Sequence, residues 1–250
     1  MEHWEALKEG GYRFVWDDAL FRPGTDTFLL SAFPRLKSKM RVCDLGSGTG
    51  LLGLLLLQRA QSAHLSTAYS LTVTGIEILP EAAALARRCA VENHLTDRLF
   101  TACMDLRAVK ERFPSGAFDL VVSNPPYYAA ERGKTPIQAA RRSARSETSC
   151  TLEELIQAAA YLLRQKGALC LVHKPDRLAD LICILRKYGC EAKRIRFVCE
   201  RDGAAPSLLL LEARRGGKPG LNVEASFILR RADGSPTAET DAIYFRESKL

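Results

Sequence analysis

The sequence predicts an α/β domain built on a mostly parallel sheet with helices on both faces. Three observations carry that prediction. After Met40, short apolar runs alternate with stretches of helical periodicity, the pattern of strands joined by covering helices. A glycine-rich turn, LGSGTG (45–50), stands between the first of those strands and its helix, at the place where a doubly wound sheet opens onto a ligand. The last two long strands follow one another with no helix between them, so an antiparallel pair is expected at the sheet edge.

Taken in chain order, the first forty residues are too few for a domain and are expected to form a flap packed on the main domain of residues 41–250. Within the flap, GYRFVW (11–16) alternates like a short strand. FRPGTDTFLLSAF (21–33) reads as a turn and then a short helix capped near Thr25 or Asp26. Apolar runs predict strands at Arg41–Leu45, Leu71–Glu77, Arg98–Cys103, Phe118–Ser123, Gly167–His173, Ala192–Glu200 and Ser207–Ala213. A further strand, Val223–Leu229, is expected after the loop RRGGKPGLN (214–222). Apolar residues at helical spacing predict helices at Leu51–Gln61, Pro80–Asn93, Leu152–Gln165 and Asp176–Tyr188.

Composition narrows the class. Of 250 residues, 47% are hydrophobic and 26% charged, which suits one large globular domain with a modest extension. The acidic start MEHWEALKEGG lacks the features of a signal peptide, and the greasiest stretch, Leu45–Leu57, is short and interrupted by four glycines. A cytoplasmic protein is expected. Eight scattered cysteines form no CxxC pair and read as reduced, small hydrophobic side chains, and the four histidines (3, 64, 94, 173) have no ligand spacing, so no metal is expected. The net charge of +7 is unevenly placed. Residues 130–231 hold 20 Lys and Arg against 11 Asp and Glu, and the remainder holds 16 against 18. Such asymmetry favours a polyanionic partner, with scattered solvated charges as the alternative.

The turn VCDLGSGTGLLG (42–53) places Gly46, Gly48, Gly50 and Gly53 where backbone N–H groups can approach a ligand at a helix N-terminus. Residues 48–53 also satisfy G-x-G-x-x-G, so a dinucleotide is one candidate. Asp44 argues against it, because a carboxylate two residues before the first glycine repels a pyrophosphate and suits a cationic amino group. Glu77, ending the next strand, is placed to accept from ribose hydroxyls, which serves either ligand. Asp105, after the third strand, is placed to accept from an adenine amine. Each acid alone is an ordinary loop-capping residue; three ending successive strands at one sheet edge point to a ligand. SNPPYY (123–128) ends the fourth strand in the same way: two prolines cannot continue the ladder, and Asn124 is held extended before them.

With DLGSGTG, GIEI, MDL and SNPPYY in this order, the chain resembles class I S-adenosylmethionine-dependent methyltransferases. More narrowly, it is similar to the tRNA(Val) adenine-N6 methyltransferases that act next to the anticodon. The similarity covers nearly the full length, taking in FRPGTDTFLL (21–30), RSETSCTLEELIQAAAYLL (145–163) and the terminal AIYF (242–245). The resemblance implies a Rossmann-like, seven-stranded sheet and S-adenosylmethionine as cofactor. It implies cofactor contacts from Thr25, Asp26, Asp44, Gly46, Gly48, Gly50, Glu77, Ile78, Asp105, Leu106 and Asn124, with Asn124, Pro125, Pro126 and Tyr127 as the catalytic loop.

The chemistry matches the motif. An exocyclic adenine amine is a poor nucleophile because its lone pair is delocalised. Acceptors on both amino hydrogens favour a pyramidal nitrogen, and in enzymes with this motif they are the Asn side-chain oxygen and the next carbonyl, here those of Asn124 and Pro125. The prolines hold both acceptors pre-aimed. Tyr127 is implied to stack on the base; Tyr128 either does the same or only packs. RGKTPIQAARRSARSE (132–147) follows with Arg132, Lys134, Arg141, Arg142 and Arg145, read as an RNA-backbone contact or else as a solvated loop. The motif also serves enzymes acting on protein glutamine and guanine N2, which stand as alternatives, as do an NAD(P)-binding oxidoreductase and a cofactor-binding partner without activity.

Overall fold

At the centre of the fold, β3 (Arg41–Leu45) is buried from Val42 onward, because it lies between β4 (Thr72–Glu77) and β6 (Phe118–Ser123), parallel to both. The computed structural model describes residues 1–20, 22–62, 70–125 and 150–246. Beyond β4 lies β5 (Leu99–Cys103), and beyond β6 lies β7 (Leu163–His173), both again parallel to their neighbours. Then come β9 (Pro206–Arg215) and β8 (Cys190–Cys199), with β9 antiparallel to both β7 and β8. Two short strands, β10 (Asn222–Val223) and β11 (Phe227–Ile228), pair parallel with the outer side of β8. Among the described residues this makes seven principal strands and two short ones. The antiparallel hairpin is present, but its reversed strand, β9, is enclosed between β7 and β8.

Alternation along the buried strands divides the core in two. Val122 and Val42 face helices α1 (Thr25–Ala32), α2 (Leu51–Ser62) and α3 (Pro80–Glu92). Val121 and Leu169 face α5 (Leu152–Leu162) and α6 (Leu178–Lys187), with the short α4 (Val109–Arg112) beside them. Helix α2, LLGLLLLQRAQS, is apolar nearly all round, and its residues from Leu51 to Gln58 are buried. Gly53 sets its approach to the sheet, since a Cβ there would sit 3.0 Å from Leu99 Cδ1 and from Val73 Cγ1.

Three local expectations are corrected. Helix α5 stops at Leu162 rather than continuing to Gln165: Leu163 turns extended and pairs with Phe118, while the Arg164 guanidinium donates to the Asp119 carboxylate. The expected strand 223–229 is broken into β10 and β11. From Val223 to Phe227 the chain uses four steps while β8 uses three, from Ile195 to Val198, and side chains of β8 meet the surplus backbone; Arg196 Nε donates to the Ala225 carbonyl. Helix α1 is preceded by Gly24 with no side-chain cap, because the Thr25 hydroxyl is engaged by Tyr244 and Asp26 accepts the Thr27 N–H within the first turn.

The N-terminal residues form a hairpin, β1 (Glu2–Ala6) with β2 (Arg13–Asp17); the first of these strands was not expected. Leu7, Phe14 and Val15 are buried against the α2–α3 side of the core, and Val15 N–H donates to Cys89 Sγ. No helix among the described residues is long and apolar enough to cross a membrane.

Across β8 and β9, Arg194 makes a nearly buried ion pair with Glu212 at 2.9 Å, donates to the Phe33 carbonyl and lies 3.9 Å above the Phe33 ring. Removing it leaves Glu212 with Arg214 as its remaining ion-pair partner. Arg194→Ala is expected to cost about 3 kcal/mol, read from the urea midpoint.

Candidate functional site

Strand register assembles the site. Asp44 is paired with Gly75 on β4 and with Val122 on β6, and Glu77 is paired with Cys103 on β5, so the carboxyl ends of four strands reach one edge together. A hydroxyl ties two of them: Ser123 Oγ donates to the Leu45 carbonyl at 2.7 Å, joining the end of β6 to the start of the glycine turn.

The turn itself is held from β4. The N–H groups of Gly46 and Ser47 both donate to the Ile76 carbonyl, at 2.9 and 3.1 Å. Gly46, Gly48 and Gly50 have φ of +75°, +54° and +83°, a left-handed region that only glycine enters without steric cost. Glu77 bridges the turn and its own strand end: one carboxylate oxygen accepts from Gly48 N–H and the other from Leu79 N–H, both at 2.8 Å. Ile78, half-buried, follows it at the same edge.

Asp44 is 1% exposed, and its Oδ2 has no hydrogen-bond partner among the described residues; neither has the buried Ser47 Oγ nearby in the turn. Burial, and secondly the charge of Glu77, push the Asp44 carboxyl from an ordinary 3.8 up to about 8. A buried carboxyl with an unsatisfied oxygen is costly, and a cationic donor placed beside it relieves that cost. A Cβ at Gly46 or Gly48 would meet nothing within 4 Å among the described residues, so the backbone there is open to close approach. Two carboxylates at this edge, one with an unsatisfied buried oxygen, fit a ligand bearing a cationic amine and disfavour a phosphate.

Asp105 has a structural task. It caps the 3-10 turn Leu106–Ala108, accepting from Arg107 N–H at 2.8 Å, and both its oxygens receive the Arg107 guanidinium, which holds its carboxyl below the usual range. Leu106 is half-buried against the α5–α6 side of the core. At the end of β6, Asn124 is half-buried and Pro125 buried. Asn124 Nδ2 donates to Thr27 Oγ1 on α1 at 2.9 Å. Thr25 Oγ1 accepts from Tyr244 OH at 2.8 Å, which brings the C-terminal AIYF stretch against the same helix.

The described site residues thus converge from α1, the glycine turn and the ends of β4, β5 and β6. Pro126, Tyr127 and Tyr128, and the basic residues Arg132, Lys134, Arg141, Arg142 and Arg145, lie outside the described residues. Sequence reasoning missed Thr27, Ser47 and Ser123. Ser47 and Thr27 stood inside quoted motifs without a distinguishing signal, because their roles depend on contacts with distant strands. A cleft of about 470 Å³ lies elsewhere, between the hairpin residues Trp4 and Arg13 and the α3 residues Arg87, Arg88, Val91 and Glu92. Two surface ion pairs cross it, and the site chemistry lies at the opposite end of α3. Among the described residues no group of His, Cys, Asp and Glu is arranged to hold a metal.

Comparison with known proteins gives a consistent result. The model of the methyltransferase small domain matches residues 22–185. The chain is 29% identical to a tRNA1(Val) (adenine(37)-N6)-methyltransferase of Tolumonas auensis, over 96% of this chain and 99% of that one. It is 35% identical to the protein of the same description from Porphyromonas gingivalis, over 77% of this chain and 74% of that one. In fold alone, it is similar to a crystal structure described as a predicted O-methyltransferase from Agrobacterium tumefaciens, with TM-score 0.67, 22% identity, and coverage of 88% and 95%.

The Asp44 environment generates a stability prediction. At pH below about 4 the carboxyl is protonated in folded and unfolded chains alike, and it carries no penalty. As pH rises towards about 8 the folded ligand-free protein must keep a proton that the unfolded chain has released, so stability is lost across that window. Asp44→Asn is therefore expected to raise the melting temperature of the ligand-free protein near pH 7.5 by on the order of 5 °C, with the gain shrinking towards pH 4.5.

Proposed function

Because the chain belongs to the methyltransferase small domain family, we propose that it transfers a methyl group from S-adenosylmethionine to the N6 amine of an adenine in tRNA, next to the anticodon. The observation that carries this reading is the placement of Asn124 and Pro125 at the end of β6, bonded through Ser123 to the glycine turn that Asp44 and Glu77 flank. The relatives described as tRNA1(Val) (adenine(37)-N6)-methyltransferases support the choice of amine and of RNA.

Asp44, with its unsatisfied Oδ2, would hold the cationic amino group of the cofactor, and Glu77 would accept from its ribose. Gly46, Gly48 and Gly50 leave room for close approach, with Thr25, Asp26, Ile78, Asp105 and Leu106 around the site. When bound, S-adenosylmethionine supplies an electrophilic methyl group on a sulfonium centre. The Asn124 side-chain oxygen and the Pro125 carbonyl accept the two amino hydrogens, drawing the nitrogen towards the pyramidal form whose lone pair is nucleophilic. Both acceptors are fixed before the reaction begins, so little reorganisation opposes the transition state. The methylated amine is acidic and gives its proton to water, so the mechanism needs no strong general base. Tyr127 stacks on the extruded base, a contact worth about 1–3 kcal/mol. Arg132, Lys134, Arg141, Arg142 and Arg145 engage the RNA backbone, and an unpaired loop adenine is the base most easily extruded.

The test is to incubate the protein with unmodified tRNA and labelled cofactor and then to map the modified nucleoside. N6-methyladenosine next to the anticodon is the expected product; label in a glutamine peptide and none in tRNA would overturn the reading. S-adenosylmethionine should raise the melting temperature, and both Asp44→Asn and Glu77→Ala should diminish that shift. Asn124→Ala should keep it while lowering turnover by about 10²–10³-fold, since its acceptor acts mainly on the developing transition state.

Affinity for tRNA should fall steeply with salt. Replacing Arg141 and Arg142 by alanine should flatten that slope by roughly two phosphate equivalents, measured by filter binding across a salt titration.

A further inference from the structure

Asn124 sits at the end of a strand, and its side chain can be described by which end of its amide is held. Oxygen and nitrogen are close in size, and an unrestrained amide turned the wrong way would present N–H groups to an amine that itself needs acceptors. The structure gives the nitrogen a partner: Nδ2 donates to Thr27 Oγ1 at 2.9 Å, and Thr27 is 7% exposed. Thr27 is in turn on a helix anchored along its length. Its first residue, Thr25, accepts from Tyr244 OH at 2.8 Å, and the Tyr244 ring lies 4.6 Å from that of Phe28. Ser31 Oγ accepts from Arg59 Nε at 2.9 Å, while Arg59 Nη2 donates to the Ile243 carbonyl at 2.6 Å and its guanidinium stacks on Phe245. At the far end, Arg194 holds the Phe33 carbonyl. The AIYF stretch, 219 residues from Thr25, thus closes onto the helix that meets the catalytic loop.

We propose that Thr27 is a positioning residue: it holds the Asn124 amide by its nitrogen, so that the oxygen is presented to the substrate amine, and Tyr244 anchors the helix that carries it. This rests on the amine-methylation reading above. A hydroxyl accepts from Nδ2; a methyl group in its place removes that acceptor from a half-buried NH₂. Thr27 is not among the residues proposed above to contact cofactor or tRNA, so its effect is expected to fall on turnover.

The test compares Thr27→Val, which is isosteric, with Thr27→Ser, which keeps the hydroxyl. Thr27→Val is expected to lower kcat by about 10–100-fold, while KM for tRNA and the cofactor-induced melting shift stay within about twofold; Thr27→Ser should recover most of the loss. Tyr244→Phe, which removes one oxygen from the surface of the helix, should lower kcat in the same direction by about 3–10-fold, and it tests the anchor even where Thr27→Val folds poorly. A readout independent of activity is the Asn124 side-chain NH₂ signal in ¹⁵N NMR, assigned from its disappearance in Asn124→Asp. It should shift in Thr27→Val and stay in place in Thr27→Ser. Unchanged kcat in both Thr27→Val and Tyr244→Phe, a kcat loss that serine does not rescue, or an NH₂ signal indifferent to Thr27→Val would overturn the proposal. Failure of the wild type to methylate any tRNA amine would instead sink the functional reading, since the NH₂ signal is recorded without substrate.

Discussion

Parallel pairing on both sides of β3 is the constraint on which the rest of the site depends. It sets Asp44 beside Gly75 and Val122, and so delivers the glycine turn, Glu77 and Asn124 to one edge within reach of one another. Within the turn Gly50 N–H donates to the Ser47 carbonyl, and its other described N–H bonds reach outside it. Those N–H groups are received by the Ile76 carbonyl and the Glu77 carboxylate, both on the neighbouring strand, and Leu45 is tied to Ser123 on the other side. A one-residue slip of β4 would move Glu77 off Gly48 and turn its side chain to the opposite face. The burial of β3 on both faces makes that slip costly, because Val42, Cys43 and Leu45 are fully enclosed.

The same enclosure explains why Asp44 is strained. Its carboxyl is buried at the end of a strand whose neighbours are apolar, with Glu77 as a nearby like charge, and its pKa is pushed up to about 8 as a result. Folding tolerates this group because the surrounding core, from Leu54–Leu57 on one face to Leu169 and Leu171 on the other, stabilises the domain by far more than one acid costs. Under the proposed function, this position sets function against stability, the trade expected where a ligand rather than the protein completes the hydrogen bonding. Glu77, by contrast, accepts a backbone N–H on each carboxylate oxygen, so it shapes the turn.

Helix α1 links regions far apart in the chain. It touches Asn124 at the end of β6 through Thr27, the C-terminal segment through Thr25 and Phe28, helix α2 through Ser31, and the β8–β9 hairpin through the residue that follows it, Phe33. The C-terminal helix α7 (Ala238–Ile243), capped by Thr237, brings Tyr244 to that meeting point. A stretch that looks peripheral in sequence is therefore part of the scaffold behind Asn124.

The sequence by itself determined the strand–helix alternation, the glycine turn, the acids that end successive strands and the proline-bounded Asn124, because each of these is written in local periodicity or in backbone chemistry that a residue imposes on itself and its neighbours. Local periodicity also misled where a neighbour in space decided: helical spacing runs past Leu162, yet pairing with Phe118 and the Asp119 carboxylate draws Leu163 and Arg164 into β7. Only the tertiary structure decided that Glu77 holds Gly48 and Leu79, that Asp105 is clamped by Arg107, that β9 is enclosed by its neighbours, that Thr27 bonds the Asn124 amide and that Tyr244 bonds Thr25. Those are contacts between residues as many as 219 positions apart. They follow from how sheet and helices pack, and no spacing along the chain encodes them.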